Sequence, residues 1–376
     1  MFDGNDKSFC SEFLEKVVKK LSVISRKIGA NFPSTNSRTG KFDPKENNDK
    51  LASWTNGFWP GMMWLMYIKT GDEYCRKIAE ECEEKLDEAF DIFFGLHHDV
   101  GFMWELSALA DYKITKNERS RARALHAATI LAGRYNPNAG MIRAWDHASS
   151  RAIIDCMMNI PLLYWASKET DDPRFGYIAD CHVESVMKHF IRGDGSVHHQ
   201  VVFDPETGEI LEKPQGQGAA PGSSWSRGQA WAIYGFALAY LNTGNTDYLD
   251  VSKSVAHYFI ANIEDGELPL LDFRAPEDKK YFDASAAAIA ACGLIELAKA
   301  VGELEKKIYE NAAMKLLRAL YKDFDESEDN LWLLNKCSAS WRVPTSIHIP
   351  YVFGDYYLLE ALMKIDGNDG SFTVHG

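Results

Sequence analysis

Apolar positions along the chain fall into two alternating kinds of segment, one apolar on every side and one apolar along a single stripe. Residues 57–68 include Phe58, Trp59, Met62, Met63, Trp64, Leu65 and Met66, with scarcely a polar residue between them. Residues 73–90 instead place apolar side chains at helical intervals among Glu and Lys. The contrast recurs in 153–165 against 174–190, 229–241 against 248–263, and 284–298 against 303–321, and 101–112 with 119–134 makes the remaining pair. A helix that is apolar all round is buried, and a single stripe marks a surface helix. Small polar turns separate the partners: Thr70-Gly71-Asp72, Lys116-Asn117, Thr170-Asp171-Asp172, Thr243-Gly244-Asn245, Val301-Gly302-Glu303 and, at the end, Ile365-Asp366-Gly367. Repetition every roughly 45 to 75 residues signals stacked helical hairpins.

Residues 8–28 add a helix with Phe9, Phe13, Val17, Leu21 and Ile24 on one face, and 356–364 adds a last one. Pairing first with last closes a ring of about twelve helices. The expected fold is all-α, an (α/α)6 barrel forming one domain over residues 1–376. An open solenoid is disfavoured because neither end reads as a polar capping repeat. Strand patterns are confined to loops, with a short hairpin expected over 198–203 and 210–211.

A ring of this kind brings the starts of its buried helices to one rim. Trp54, Asp99, Asp155, Arg227 and Asp283 all fall at those starts. Charge narrows the ligand: with a formal net charge of −13 over 376 residues, a nucleic acid or an anionic membrane is not an expected partner. A small anion remains possible, since a few convergent Arg residues suffice locally. Seven dispersed cysteines without a Cys-x-x-Cys pair read as free buried thiols in a reducing compartment. No signal peptide is visible in residues 1–9 and no apolar run is long enough to span a bilayer. A cytoplasmic protein, monomeric or weakly dimeric, is expected.

Each rim residue carries two readings. Asp99, in Leu96-His97-His98-Asp99-Val100-Gly101, is either a helix N-cap or a functional carboxylate. A metal on His97 and His98 is not expected, because sequence neighbours usually point apart and no third ligand is spaced nearby. Asp155 is expected inside an apolar helix, among Ile153, Ile154, Cys156 and Met157, and is either paired with Arg151 one turn earlier or functional with a raised pKa. In Trp225-Ser226-Arg227-Gly228-Gln229-Ala230-Trp231 the glycine spacing fits no phosphate loop. Indole plates around an Arg suit a sugar acid: the ring C–H faces pack on the indoles while the guanidinium forks the carboxylate. The alternative is that both Trp are core. Trp59, Trp64, Trp104 and Trp145, also near helix starts, strengthen the case for a carbohydrate cleft.

Taken together, these pieces resemble the unsaturated glucuronyl hydrolases of glycoside hydrolase family 88. The resemblance runs from Trp54-Thr55-Asn56-Gly57-Phe58-Trp59-Pro60-Gly61 to Phe353-Gly354-Asp355-Tyr356-Tyr357, through His98-Asp99-Val100-Gly101-Phe102, Ser149-Ser150-Arg151 and Ile154-Asp155-Cys156-Met157. It implies an (α/α)6 barrel that needs no metal or organic cofactor and removes the 4,5-unsaturated uronic acid from lyase-generated glycosaminoglycan oligosaccharides. The implied chemistry is hydration of the C4=C5 vinyl ether rather than displacement at the anomeric carbon. Asp155 would be the general acid and Asp99 the second carboxylate. His98, His199, Gln217 and Arg227 would line the sugar and carboxylate site, with Trp54, Trp225 and Trp231 as stacking surface. Some relatives carry Ser-x-x-Ser-x-Lys late in the chain for sulfated substrates; here Cys337-Ser338-Ala339-Ser340-Trp341-Arg342 keeps Ser340 and offers Arg342 in place of Lys. The rivals are an unsaturated rhamnogalacturonyl hydrolase acting on pectin fragments and a non-catalytic oligosaccharide-binding protein on the same barrel.

Overall fold

Four of the inter-helix turns are built alike, and they set the architecture. Gly71, Lys116, Asp171 and Gly244 take left-handed backbone conformations, with φ of 70°, 61°, 52° and 72°, which stop a helix. The next residue, Asp72, Asn117, Asp172 or Asn245, then accepts an amide N–H of the following helix as its N-cap. So short a connection forces the second helix back antiparallel along the first.

The computed structural model describes residues 2–367 and contains twelve α-helices within them. These are α1 Gly4–Ile28, α2 Phe58–Thr70, α3 Glu73–Ile92, α4, α5 Glu118–Ala132, α6 Pro161–Thr170, α7 Pro173–Phe190, α8 Ser226–Thr243, α9 Thr246–Ala261, α10 Ala284–Ala300, α11 Glu303–Asp323 and α12 Val352–Asp366. Helix α4 is composite: Val100–Trp104, a π-helical turn Glu105–Leu109, and Ala110–Thr115. Even-numbered helices form an inner ring and odd-numbered ones an outer ring. Every residue of α8 from Ser226 to Ala239 and of α10 from Ala284 to Ala298 is buried. Outer helices bury one stripe; in α1 it includes Phe13, Leu14, Val17, Leu21 and Ile24. Helix α1 packs on α12, and α12 on α2, which closes the expected (α/α)6 barrel. None of the helices among the described residues is long and apolar enough to cross a membrane.

Several charged and hydroxyl groups in the inner ring are paired, as burial favours. Lys364 donates to Glu296 at 2.6 Å, and the Tyr234 hydroxyl to Glu360 at 2.7 Å, both in the barrel wall. Glu105, in the π-helical turn, accepts the free Leu162 N–H at the start of α6 at 2.6 Å.

The third pair departs from its expected form. The stretch 153–165 is not one helix: Arg151–Ile153 is a strand, Ile154–Met158 a 3-10 turn, and α6 begins only at Pro161. Proline fits the first helical position and disfavours helix before it, while Ile153 and Ile154 are β-branched and favour extension. The short strands are β1 Ser34–Asn36 and β2 Lys41–Asp43, β3 Tyr135–Asn136 and β4 Met141–Ile142, and the sheet of β5 Arg151–Ile153, β6 Gln200–Phe203 and β7 Ile210–Glu212. Strands β6 and β7 are the expected hairpin, and β5 pairs antiparallel to β6 with Ile153 opposite Gln200. All these strands lie in connecting segments, and several reach the rim where the inner helices begin.

Candidate active site

Because hairpin partners run antiparallel, the N-termini of the inner helices meet at one end of the barrel. A cavity of about 390 Å³ opens there, within the range of small-ligand sites. Trp54, Asp99, Asp155, His199, Gln217 and Arg227 all line it, so the two carboxylates share one pocket. Helix N-termini aimed at a common space favour an anionic ligand, in a chain that is acidic overall.

Asp99 occupies the N-cap position of α4, but its side chain makes no capping bond. The capping reading therefore fails. Its Oδ1 accepts from Asn159 Nδ2 at 3.0 Å and lies 3.5 Å from His98 Nε2, while Oδ2 is 3.2 Å from His97 Nδ1. Burial alone would raise this carboxyl, yet His98, His97 and the Asn159 amide outweigh it and hold it down at about 2. Burial also pushes His98 down to about 4, so near neutral pH His98 is uncharged. The hydrogen bonds then do the holding. Asp99 is a carboxylate at any working pH, and the stability it lends is lost only as pH falls from about 4 through about 2.

His97, His98 and Asp99 offer donor atoms that all lie within 4.8 Å of one another. The neighbouring histidines converge on Asp99 rather than pointing apart, which corrects the sequence expectation. His98 is fully buried beneath Asp99, so it supports that carboxylate and has no face for a sugar. His97 lines the cavity instead. Close packing allows this: a Cβ on Gly101 would sit 2.5 Å from Asn159 atoms. Asn159 thereby clamps the two acidic segments, accepting from Phe102 N at 2.7 Å and contacting the Asp155 carbonyl at 3.4 Å.

Asp155 stands in the 3-10 turn after β5, partly exposed to the cavity. Arg151 lies in the extended strand, where the helical one-turn relation does not exist, and the two form no ion pair. The neighbour of Asp155 is His199, whose Nε2 is 3.4 Å from Oδ2. His199 Nδ1 accepts the backbone N–H of Gln217 at 2.9 Å. A neutral imidazole with an accepting Nδ1 carries its proton on Nε2, so that N–H faces Asp155. Gly216 makes room for the bond: its φ is +61° and a Cβ there would run into the His199 ring. Gly216→Ala is expected to cost about 1–2 kcal/mol of stability from the left-handed backbone but at least about tenfold in kcat from a displaced His199. Thermal melts beside steady-state kinetics check this, and unchanged turnover would contradict it.

Arg227 is largely committed within the protein. Its Nη1 donates to Asp283 Oδ2 at 2.8 Å, Ser285 Oγ at 3.3 Å and the Ser338 carbonyl, and Nη2 donates to the Ala339 carbonyl at 2.9 Å. Among the described residues, Nε–H and one Nη2–H are left without an acceptor. A free fork gripping a carboxylate is therefore corrected to an anchored guanidinium with one edge toward the cavity. Trp225 is 2 % exposed; it packs on His199 at 4.4 Å between ring centroids and on Arg227 at 4.5 Å. It steadies those two side chains and presents no stacking face.

Trp231 is fully buried against Phe102 and Tyr357, and Trp59, Trp64 and Trp104 are core as well. Among the described residues, Trp54 and Trp145 are the tryptophans that line the cavity. Ser340 is buried, with its hydroxyl accepting from Arg342 N at 3.3 Å, and the exposed Arg342 lies outside the cavity lining. The sequence reading missed the hydroxyls of Ser34, Thr35, Ser37, Ser53 and Thr55 in the lining, together with Tyr351 and Phe353. Most come from the aperiodic polar segments around β1 and before α2, where no spacing betrays them.

An α/α barrel with a sugar-sized cavity, two carboxylates and indole walls has the make-up of a glycoside hydrolase. The model of Glycosyl Hydrolase Family 88 matches residues 25–372, and the chain belongs to that family. It is 38% identical over 352 residues to the unsaturated glucuronyl hydrolase of Bacillus sp. (strain GL1), covering 91% of this chain and 92% of that one. It is 34% identical to the unsaturated chondroitin disaccharide hydrolase of Streptococcus pyogenes serotype M1, over 94% of this chain and 90% of the relative. The crystal structure of the Bacillus sp. GL1 unsaturated glucuronyl hydrolase superposes with a TM-score of 0.90 at 36% identity, covering 96% and 98% of the two chains.

Proposed function

We propose that this glycoside hydrolase removes the 4,5-unsaturated uronic acid from the non-reducing end of glycosaminoglycan oligosaccharides by hydrating the C4=C5 vinyl ether. The observation that carries this reading is the pair of unlike carboxylates in one cavity: Asp99 held as an anion by its donors, and Asp155 facing the His199 ring at 3.4 Å without such donors. The activities named for both curated relatives support the glucuronyl reading over the pectin one.

Asp155 gives its carboxyl proton to C4, and the electron pair of the double bond forms the new C4–H bond. The cation left at C5 is shared with the ring oxygen. Asp155, now a carboxylate accepting from His199 Nε2–H, takes a proton from the water that adds to C5. The C5 hemiketal opens to a ketone and leaves a hemiacetal at C1, which expels the aglycone as an alcohol.

Asp99 holds substrate hydroxyls, Trp54 and Trp145 supply flat faces, and Gln217 and the free edge of Arg227 meet the uronate carboxylate. Arg342, exposed and without an acceptor among the described residues, is the group of the late segment available to a charged substituent on the second sugar. The cysteines are free, which supports the cytoplasm as the compartment. Exposed large apolar side chains such as Tyr177, Leu211 and Leu304 stand apart, while Ile92, Phe93 and Phe94 form one small cluster, which supports a monomer or weak dimer.

The conjugated substrate absorbs near the ultraviolet edge and loses that band on hydration. Lyase-made chondroitin and heparin disaccharides should lose absorbance with the protein, and pectin fragments should lose it more slowly. A stable band on all three would defeat the proposal. Because the step consumes a carboxyl proton, the rate should be lower at alkaline than at mildly acidic pH; a profile climbing steadily into the alkaline range would contradict that assignment.

A further inference from the structure

A second pocket, of about 370 Å³, lies against the catalytic cavity and shares Ser34, Thr35 and Ser37 with it. Ser34 and Thr35 of β1, with Ser37 after it, thus form a partition that borders both spaces. It is anchored rather than a free hairpin: Thr35 Oγ1 donates to the Pro350 carbonyl, and Thr345 Oγ1 to the Ser37 carbonyl at 2.6 Å. The ionised groups of the outer pocket are Arg38, Glu46 and Lys50. Glu46 is occupied, accepting from Lys50 Nζ at 2.6 Å and Asn36 Nδ2 at 3.2 Å. Arg38 is exposed, and its guanidinium has no acceptor among the described residues. Two cations against one anion leave this pocket a surplus positive charge, on a chain whose net charge is −13.

An enzyme that takes the terminal uronate into a cavity at the barrel end must let the rest of the chain leave through the mouth. In alternating uronate and hexosamine polymers, the third sugar again carries a carboxylate. We propose that the outer pocket is a subsite for that third sugar, with Arg38 binding its carboxylate. Ser34, Thr35 and Ser37 then contact the second sugar as the chain crosses the partition. This inference rests on the functional reading above and adds a preference for length to it. A guanidinium is suited to the task because its planar fork matches a carboxylate, and exposure keeps its desolvation cost low.

The test compares an unsulfated unsaturated chondroitin tetrasaccharide with the matching disaccharide in the wild-type protein, Arg38→Lys and Arg38→Glu. Arg38→Glu should lower kcat/KM on the tetrasaccharide by about tenfold, through KM, because it replaces attraction by repulsion. The disaccharide should change by less than about twofold, as expected for a distant exposed charge. Arg38→Lys should retain part of the tetrasaccharide effect, and added salt should erode the difference. Equal losses on both substrates, or no loss on the tetrasaccharide, would overturn the subsite. Failure of the wild type on the disaccharide would overturn the functional reading itself.

Discussion

Asp155→Asn is expected to lower kcat at least about a hundredfold while leaving the fold intact and KM little changed. The substitution keeps the size and shape of the side chain but removes the proton that C4 requires. Asp155 forms no ion pair with Arg151, and its close polar neighbour is the His199 ring at 3.4 Å. Neither Asp155 Oδ2 nor His199 Nε2 has a hydrogen-bond partner among the described residues, so the substitution breaks no bond of theirs and little stability should be lost. Circular dichroism and a denaturant titration establish the fold, and the decay of ultraviolet absorbance gives the rate. Near-normal turnover would remove Asp155 from the role of acid, and the mechanism would fall with it.

Arg227→Ala should act first on stability, lowering it by about 3–5 kcal/mol. Asp283, wholly buried, would lose its counter-charge, and the carbonyls of Ser338 and Ala339 would lose a donor. Those carbonyls belong to the loop beside the cavity, so KM should rise in whatever fraction remains folded. Arg227→Met combined with Asp283→Leu should recover part of the loss, because removing both charges leaves neither buried alone. The denaturant midpoint decides the matter. An unchanged midpoint with a raised KM alone would mean that Arg227 is chiefly a ligand for the substrate carboxylate, as the sequence motif first suggests.

The alternation of buried and surface helices was legible because an all-apolar helix and a one-stripe helix differ at every turn. The small polar turns, Thr70-Gly71-Asp72 and its counterparts, then marked the hairpins. The third pair was misread because the partner of β5 is distant in sequence: nothing near Ile153 announces that Gln200 will lie opposite. Trp225 and Trp231 show a different limit. An indole at a helix start has the same spacing whether it faces the cavity, as Trp54 does, or packs on Phe102, as Trp231 does. His97 and His98 were similarly indistinguishable until the loop conformation gave one to the cavity and the other to the core. The hydroxyl wall of Ser34, Thr35 and Ser37 was hidden in an aperiodic polar stretch, whose purpose depends only on where the loop lands.

The proton delivered to C4 is best followed by running the reaction in heavy water while recording absorbance and aglycone release together. The proposed mechanism predicts that the band disappears no later than the aglycone appears, with one deuterium on C4 in a single configuration, and that Asp155→Asn abolishes all three signals. Aglycone released while the band persists, or deuterium scattered over both configurations at the earliest times, would contradict it.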